Sequence, residues 1–215
     1  MRRGGMLLAA ILALVSAPTL ASSGNCWIDA GEKHGVDPYL LYAISEVESD
    51  GRVHAVADAG DTHSVGIMQV NSQWFPALEE RGIDKEDLWE ACTNIHAGAW
   101  ILAQEIERYG ATWYAVGAYY AGALPNKAQA PERHARKLEH YRVYTAKVKA
   151  RLGEILRGVG AESRASQIIS DYHVDVGELP PPADTMPGDR GAAAVAEVRE
   201  KRRRSALMVT GGDGG

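Results

Sequence analysis

The chain has 215 residues, of which 46% are hydrophobic and 24% charged, with a formal net charge of −5 at pH 7. This length is enough for one or two domains with a sizeable core, and the composition excludes collagen-like and wholly disordered chains. The acidic balance excludes a protein that coats nucleic acid by counterion release.

An export signal is the first predicted element and occupies residues 1–21. Two arginines precede an apolar run from Met6 to Val15, and small residues follow as far as Ala21. Ten apolar residues rise only about 15 Å as a helix, half of a hydrocarbon core. We therefore expect cleavage and a periplasmic location, with no membrane span in the mature chain. An uncleaved anchor is the alternative.

The two cysteines, Cys26 and Cys92, suffice for one bridge but not for a zinc site built from thiolates alone. In an oxidising periplasm they would close a loop of about 66 residues, which the chain-entropy model values at roughly 4 kcal/mol. We expect a structural disulfide, and a free nucleophilic thiol is the alternative.

The central part of the chain carries strong helix signals. Asp37 and Pro38 fit the N-cap and first position of a helix that runs to Ser49 and stops at Gly51. The only segment with a strand-like sequence is short, at residues 53–70. Three further helices are predicted: Asn94 to Tyr109 capped by Thr93, Trp113 to Ala121 capped by Thr112, and Pro131 to Ile155.

The domain is predicted to cover residues 22–155, because twelve of the fifteen aromatic residues lie between Trp27 and Tyr120. We expect a mainly α domain with a minimal sheet. Residues 156–215 are rich in proline, glycine and charge and are predicted to be a largely disordered tail. The basic cluster from Lys201 to Arg204 fits an acidic partner, an anionic lipid or an ordinary solvated tail.

Glu48 is a carboxylate placed where the core should be. On a helical wheel it falls within the roughly 120° arc of its apolar neighbours Leu40, Leu41, Ile44 and Val47. Burial and the negative end of the helix dipole both raise the pKa of such a carboxyl group. A protonated carboxylic acid can serve as the general acid of glycoside cleavage. The alternative is a buried glutamate satisfied by backbone donors or an arginine.

Three segments resemble, in order, the signature blocks of the soluble lytic transglycosylase domain, glycoside hydrolase family 23. They are AISEVES at 43–49, GIMQVNS at 66–72 and GAYYAG at 117–122. The segments NCW at 25–27, CTNI at 92–95 and GAWILA at 98–103 are similar to the small specialised enzymes of conjugative transfer, type III secretion and pilus machines. The resemblance covers residues 26–122.

This resemblance implies a lysozyme-like fold and assigns Glu48 as the catalytic acid. It implies a donor role toward sugar oxygens for Gln69, and a tyrosine hydroxyl that holds Glu48 or the substrate at Tyr119. On its helix Tyr119 faces away from a stripe of Trp113, Val116 and Tyr120. The substrate-binding residues expected from the resemblance are Gln69, Tyr119, Met68, Gly66, Ser49 and Asn71.

The implied reaction cleaves the β-1,4 bond between N-acetylmuramic acid and N-acetylglucosamine without water, giving a 1,6-anhydro product. A lysozyme of the same fold would need a second carboxylate, for which Asp50, Asp58 and Asp61 are candidates in a polar loop. A non-catalytic module that docks on peptidoglycan or on a secretion machine is the other alternative.

Two positions depart from the family pattern: Tyr120 stands where relatives usually carry Asn, and Ser64 replaces an acidic residue. The expected partners are peptidoglycan strands and a secretion, conjugation or pilus apparatus that needs the wall opened locally. We expect a monomer, with no nucleic-acid partner and no cofactor. His54 and His63 lack a third ligand at a suitable spacing, so no metal site is predicted.

Overall fold

The computed structural model describes residues 25–172, so the predicted signal at residues 1–21 and the chain from residue 173 onward lie outside the described residues. Within this range the chain forms seven α-helices, two short 3-10 helices and a three-stranded sheet. The prediction of a mainly helical domain with a minimal sheet is confirmed. None of the helices between residues 25 and 172 is long and apolar enough to cross a membrane.

Two helices open the domain, α1 at Cys26–His34 and α2 at Pro38–Ser49. The predicted N-cap of α2 is confirmed, because the carboxylate of Asp37 accepts a 2.9 Å hydrogen bond from the backbone N–H of Tyr39. Asp50 ends the helix in the left-handed conformation, with a φ of 58°. The reversal that follows places Glu48 in the last turn of α2.

The sheet consists of β1 at Val56–Ala59, β2 at Thr62–Val65 and β3 at Val70–Asn71, all antiparallel in the order β1-β2-β3. Ala57 pairs with Ser64, and Ser64 pairs with Asn71. Residues paired across neighbouring strands face the same side of a sheet. This row therefore presents small and polar side chains to one side of the domain.

Short 3-10 helices at Ser72–Trp74 and Asp87–Trp89 flank α3 at Phe75–Glu79 and lead into α4 at Ala91–Tyr109. The predicted Thr93 cap of α4 is wrong. The helix starts three residues earlier than expected, and the carboxylate of Glu90 accepts a 2.7 Å hydrogen bond from the backbone N–H of Thr93. The expected disulfide joins Cys26 in α1 to Cys92 in α4, with 5.4 Å between the Cα atoms.

The remaining helices are α5 at Trp113–Ala121, α6 at Pro131–Gly158 and α7 at Glu162–Asp171. Thr112 caps α5 as predicted, since its hydroxyl accepts a hydrogen bond from the backbone N–H of Ala115. The long helix α6 crosses both α2 and α5. At the α5 crossing, Gly117 leaves room for the ring of Tyr141, which a Cβ at position 117 would meet.

The C-terminal boundary predicted at residue 155 is too early. Helix α6 ends at Gly158, and α7 buries Ala165 and Ile168 against the domain. Arg164 also forms a 2.8 Å ion pair with the buried carboxylate of Asp37. Two buried apolar residues and one ion pair are sufficient to hold α7 against the domain, although the composition of residues 156–215 is typical of a tail.

Candidate functional site

An open cleft of about 730 Å³ lies between the end of α2, the sheet, α5 and α6. Its volume is in the range typical of ligand-binding sites. Four of the sequence-predicted site residues line this cleft: Glu48, Gln69, Asn71 and Tyr119. The row of Ala57, Ser64 and Asn71 forms the sheet wall.

Glu48 lies half-buried in the cleft wall, as its position on the helical wheel predicted. Burial raises the pKa of this carboxyl group to about 7, against a hydrogen bond that lowers it. The donor is the Tyr144 hydroxyl, 2.6 Å from Glu48 Oε1. With this pKa the carboxyl group is about half protonated at pH 7, and a donor is already in place for its anion.

The alternative interpretation of Glu48 was a buried glutamate paired with an arginine. The arginine that pairs with carboxylates at the end of α2 is Arg151, and its partners are other residues. Arg151 of α6 forms a 3.1 Å ion pair with Glu46 and a 3.7 Å ion pair with Asp50. This ion pair connects Glu46 of α2 to α6. Among the described residues, the structure shows no ion pair of Glu48 with a guanidinium group. The end of α2 is therefore joined to α6 by the ion pairs of Arg151, and Glu48 is joined to α6 by its hydrogen bond with Tyr144.

Tyr119 lines the cleft but does not contact Glu48 by a hydrogen bond. Its hydroxyl donates a 2.7 Å hydrogen bond to the carbonyl oxygen of Met68. Holding the acid was one of the two roles expected for Tyr119, and Tyr144 fills it instead. Tyr119 therefore fixes the backbone of the second signature block, which follows Gly66.

Tyr120 is not part of a buried stripe on α5. Trp113 and Val116 are buried as expected, whereas Tyr120 is 54% exposed and lines the cleft. Its ring stacks on Tyr144, with ring centroids 4.5 Å apart and an angle of 7° between the planes. Tyr120, which stands where relatives usually carry Asn, thus covers the ring of Tyr144, whose hydroxyl group donates to Glu48.

Gln69 has a different hydrogen-bonding role from the one expected. It adopts a left-handed backbone conformation with a φ of 49°, and its side chain lines the cleft. Its amide nitrogen donates to the carbonyl oxygens of Ala55 and Gly66, at 3.1 and 2.9 Å. Both amide protons are used, so the expected donation to sugar oxygens is not supported. The group left for a ligand is the amide oxygen, an acceptor.

Of the other predicted binding residues, Met68, Ser49 and Gly66 do not line the cleft, whereas Asn71 does. Met68 is fully buried, and Ser49 donates a 2.7 Å hydrogen bond to the carbonyl oxygen of Ile67. Gly66 has a φ of 80°, and a Cβ there would collide with Asn94. Asn71 donates to the hydroxyl oxygen of Ser64 at 3.2 Å, so the second departure from the family pattern is part of the sheet wall.

Asn94 is a structural centre of the site that the sequence analysis did not identify. It is buried, accepts a 2.8 Å hydrogen bond from the backbone N–H of Met68, and donates to the carbonyl oxygens of Val65 and Leu88 at 3.1 and 2.9 Å. Each polar atom of its amide group is thereby satisfied. A polar residue in the first turn of an otherwise apolar helix stripe was the available signal.

Tyr144 is the second residue that the sequence analysis missed. It lies three residues after Tyr141 on the buried face of α6, and no role was predicted for it. Periodicity places it on the buried face but gives no information on the α2 residue opposite it, 96 positions earlier in the chain.

The three candidate second carboxylates are all outside the cleft lining. Asp50 pairs with Arg151, and Asp58 and Asp61 are exposed in β1 and in the following turn. Among the described residues that line the cleft, Glu48 is the one carboxylate. His54 and His63 pack against separate rings, those of Trp89 and Phe75, at centroid distances of 6.3 and 5.6 Å.

Comparison with known proteins supports the resemblance seen in the motifs. The sequence profile of the family described as Transglycosylase SLT domain matches residues 25–141, more than half of the chain. The chain is 41% identical over 128 residues to X polypeptide of Escherichia coli, covering 59% of this chain and 76% of that protein.

Two further relatives are less identical but match over a comparable length. The chain is 36% identical over 121 residues to Invasion protein IagB of Salmonella typhi, covering 55% of this chain and 76% of that protein. It is 33% identical over 141 residues to a Peptidoglycan-binding-like protein of Escherichia coli, covering 61% of this chain and 83% of that protein. The family match contains both cysteines and most of the cleft lining, and it ends before Val143, Tyr144 and Lys147.

Proposed function

Because the chain belongs to the Transglycosylase SLT domain family, we propose that it is a lytic transglycosylase of peptidoglycan with Glu48 as its catalytic acid. The substrate is the β-1,4 bond between N-acetylmuramic acid and N-acetylglucosamine. The observation that carries this proposal is a half-buried carboxyl group, with a pKa raised to about 7, in the wall of an open cleft.

The first step is protonation of the leaving group. Protonated Glu48 donates its proton to the glycosidic oxygen, the bond from that oxygen to the muramic acid C1 breaks, and N-acetylglucosamine leaves with a free 4-hydroxyl group. The hydrogen bond from Tyr144 stabilises the carboxylate that this step leaves behind. The acetamido group of the muramic acid supports the electron-poor C1.

The second step uses the substrate's own hydroxyl group. Glu48, now a carboxylate, takes the proton of the C6 hydroxyl while the C6 oxygen bonds to C1. The acid is regenerated, the product is 1,6-anhydromuramic acid, and no water is consumed. This route needs a single carboxyl group, which agrees with the one carboxylate among the described residues that line the cleft.

A hydrolytic muramidase of the same fold would need a second carboxylate to activate water or to stabilise the glycosyl cation. The candidates Asp50, Asp58 and Asp61 do not line the cleft. The geometry therefore favours the non-hydrolytic reaction, and a docking module without activity has no use for an acid poised near neutrality.

The site assignment is tested by zymography on gels that contain murein. Glu48→Gln keeps the side-chain shape and removes the acid, so we expect clearing to fall by about a thousandfold. Asp58→Asn is the matched control, since Asp58 is exposed beside the cleft-lining Ala57 and Ala59. Clearing by Glu48→Gln at the level of Asp58→Asn would remove Glu48 from the mechanism.

We further propose that the protein acts in the periplasm and opens the wall locally for a secretion, conjugation or pilus machine. The support is the predicted signal at residues 1–21, the segments shared with the specialised enzymes, and similarity to a protein named for invasion. Cell fractionation tests the location. Recovery of the full-length protein from the cytoplasm would contradict it.

A further inference from the structure

One face of α6 carries cations into the cleft. Lys137, His140, Tyr144 and Lys147 all line it, and on a helical wheel they fall within an arc of about 80°. Lys137 and Lys147 are about 15 Å apart along the helix axis, with Tyr144 between them. We call the set of Lys137, His140 and Lys147 the basic face.

The residues of the basic face lie on both sides of Tyr144, the hydrogen-bond partner of the proposed catalytic acid. Tyr144, which donates to Glu48, lies about 4.5 Å along the axis from Lys147 and about 6 Å from His140. A glycan strand that offers its scissile bond to Glu48 therefore passes beside this face.

The side chains of the basic face are available to a ligand. His140 and Lys147 are exposed, and the structure gives neither a hydrogen bond nor an ion pair with another described residue. Lys137 donates a 2.9 Å hydrogen bond to the carbonyl oxygen of Ala123, which orients its ammonium group at the rim.

The charge of the cleft is opposite to that of the chain. The chain has a net charge of −5, yet among the described residues its cleft lining contains two lysines and only one carboxyl group, that of Glu48. Sugar hydroxyl and acetamido groups are neutral and do not require ammonium partners. Ammonium groups along a cleft are complementary to carboxylates.

We infer that the basic face binds carboxylates carried by the muramic acid residues of the strand. This inference rests on the proposed function and narrows its substrate to glycan strands that are anionic beside the scissile bond. Two sources share this chemistry: the carboxylates of the peptide stem, and the lactyl carboxylate that is freed when the stem is removed. Lys147 is the specificity-determining residue with the clearest test, because it is exposed and has no described partner.

The experiment measures binding of murein fragments to the Glu48→Gln protein, so that it does not depend on turnover. Three fragment sets are compared: stem-bearing fragments with free carboxylates, the same fragments amidated with a carbodiimide and ammonia, and amidase-stripped fragments that retain only the lactyl carboxylate. Lys147→Ala and Lys147→Glu are each introduced. Lys85→Ala is the matched control, since Lys85 is an exposed lysine outside the cleft.

We expect Kd for stem-bearing fragments to rise about threefold in Lys147→Ala and about tenfold in Lys147→Glu. Amidated fragments should show less than a twofold change, and 0.5 M salt should remove most of the difference. Persistence of the effect on stripped fragments shows that the basic face also binds the lactyl carboxylate, and its loss there restricts the basic face to the carboxylates of the stem. Both results support the inference.

Equal changes on free and amidated fragments, or no change in either variant, would overturn the inference. Failure of the proposed function gives a different pattern: the wild-type protein then releases no product from intact sacculi, whatever the binding assay shows. Native circular dichroism of the Lys147 variants should match that of Lys85→Ala, because all these side chains are solvent-exposed.

Discussion

Tyr144 Oη and Glu48 Oε1 lie 2.6 Å apart, joining the middle of α6 to the last turn of α2. This hydrogen bond is made with the carboxyl group that burial would otherwise keep protonated. It orients the acid and favours its anion, so a general acid of raised pKa can also act as the base of the following step.

Removal of this hydrogen bond should change both rate and pH profile. In Tyr144→Phe the anion of Glu48 loses its donor, so the pKa of Glu48 rises further above 7. The acid then stays protonated at higher pH, and the alkaline limb of kcat/KM moves upward. We expect kcat to fall about tenfold, because the carboxyl group is less well oriented. An alkaline limb that stays in place or moves to lower pH would contradict this role.

The raised pKa of Glu48 also has a consequence for stability. The folded protein holds the proton of Glu48 more tightly than the unfolded chain does. The contribution of this group to the free energy of unfolding is therefore fully present below pH 4.5 and is lost as pH rises through about 7. Glu48→Gln removes this loss. Relative to wild type, the variant should gain about 3 kcal/mol in free energy of unfolding at pH 8.5 and little at pH 4. Urea denaturation at the two pH values measures the difference, and a constant offset would argue against a perturbed carboxyl group.

Gly66 is expected to be much less tolerant of substitution than another glycine of the same loop region. Both Gly66 and Gly60 have positive φ, 80° and 68°, but a Cβ at Gly66 would meet Asn94, whereas nothing lies near Gly60. Gly60→Ala should cost about 1 kcal/mol for the backbone alone. Gly66→Ala should cost about 2 kcal/mol more and should also reduce activity, since Asn94 holds Met68. Equal thermal shifts for the two variants would show that the Asn94 contact is unimportant.

The disulfide is expected to stabilise the domain without taking part in the reaction. Cys26 and Cys92 are 66 residues apart and connect α1 to α4, away from the cleft lining. Replacing both cysteines with alanine should lower the free energy of unfolding by about 4 kcal/mol in the chain-entropy model. Activity at low temperature should be retained. A loss of kcat in the still-folded variant would place the bridge in the active-site scaffold.

The local part of the fold was predictable from the sequence because its signals are local. Asp37 and Thr112 cap the helices that they were predicted to cap, and Glu48 lies where its helical phase placed it. The start of helix α4 was predicted wrongly because its N-cap is Glu90, whose side chain is longer than those of the usual N-cap residues but still reaches the backbone N–H of Thr93. Helix α7 was missed because a few apolar contacts and one ion pair suffice to dock it.

The contacts across the site were not predictable in this way. The partner of Glu48 comes from a helix 96 residues later, and Asn94 reaches the loop at Met68 from α4. Helical phase indicates which side of a helix is buried but not which residue lies opposite. Gln69 combines a positive φ with donation of its amide nitrogen to the carbonyl groups of Gly66, in its own loop, and of Ala55, before β1, and neither feature has a local sequence signal.

The central claim is that one carboxyl group, Glu48, cleaves the glycan without consuming water. Mass spectrometry of the fragments released from purified sacculi tests this most directly. The account predicts that wild-type protein releases muropeptides that are about 18 Da lighter than their hydrolytic counterparts, and that Glu48→Gln releases none. Fragments of hydrated mass from the wild-type protein, or anhydro fragments from Glu48→Gln, would contradict it.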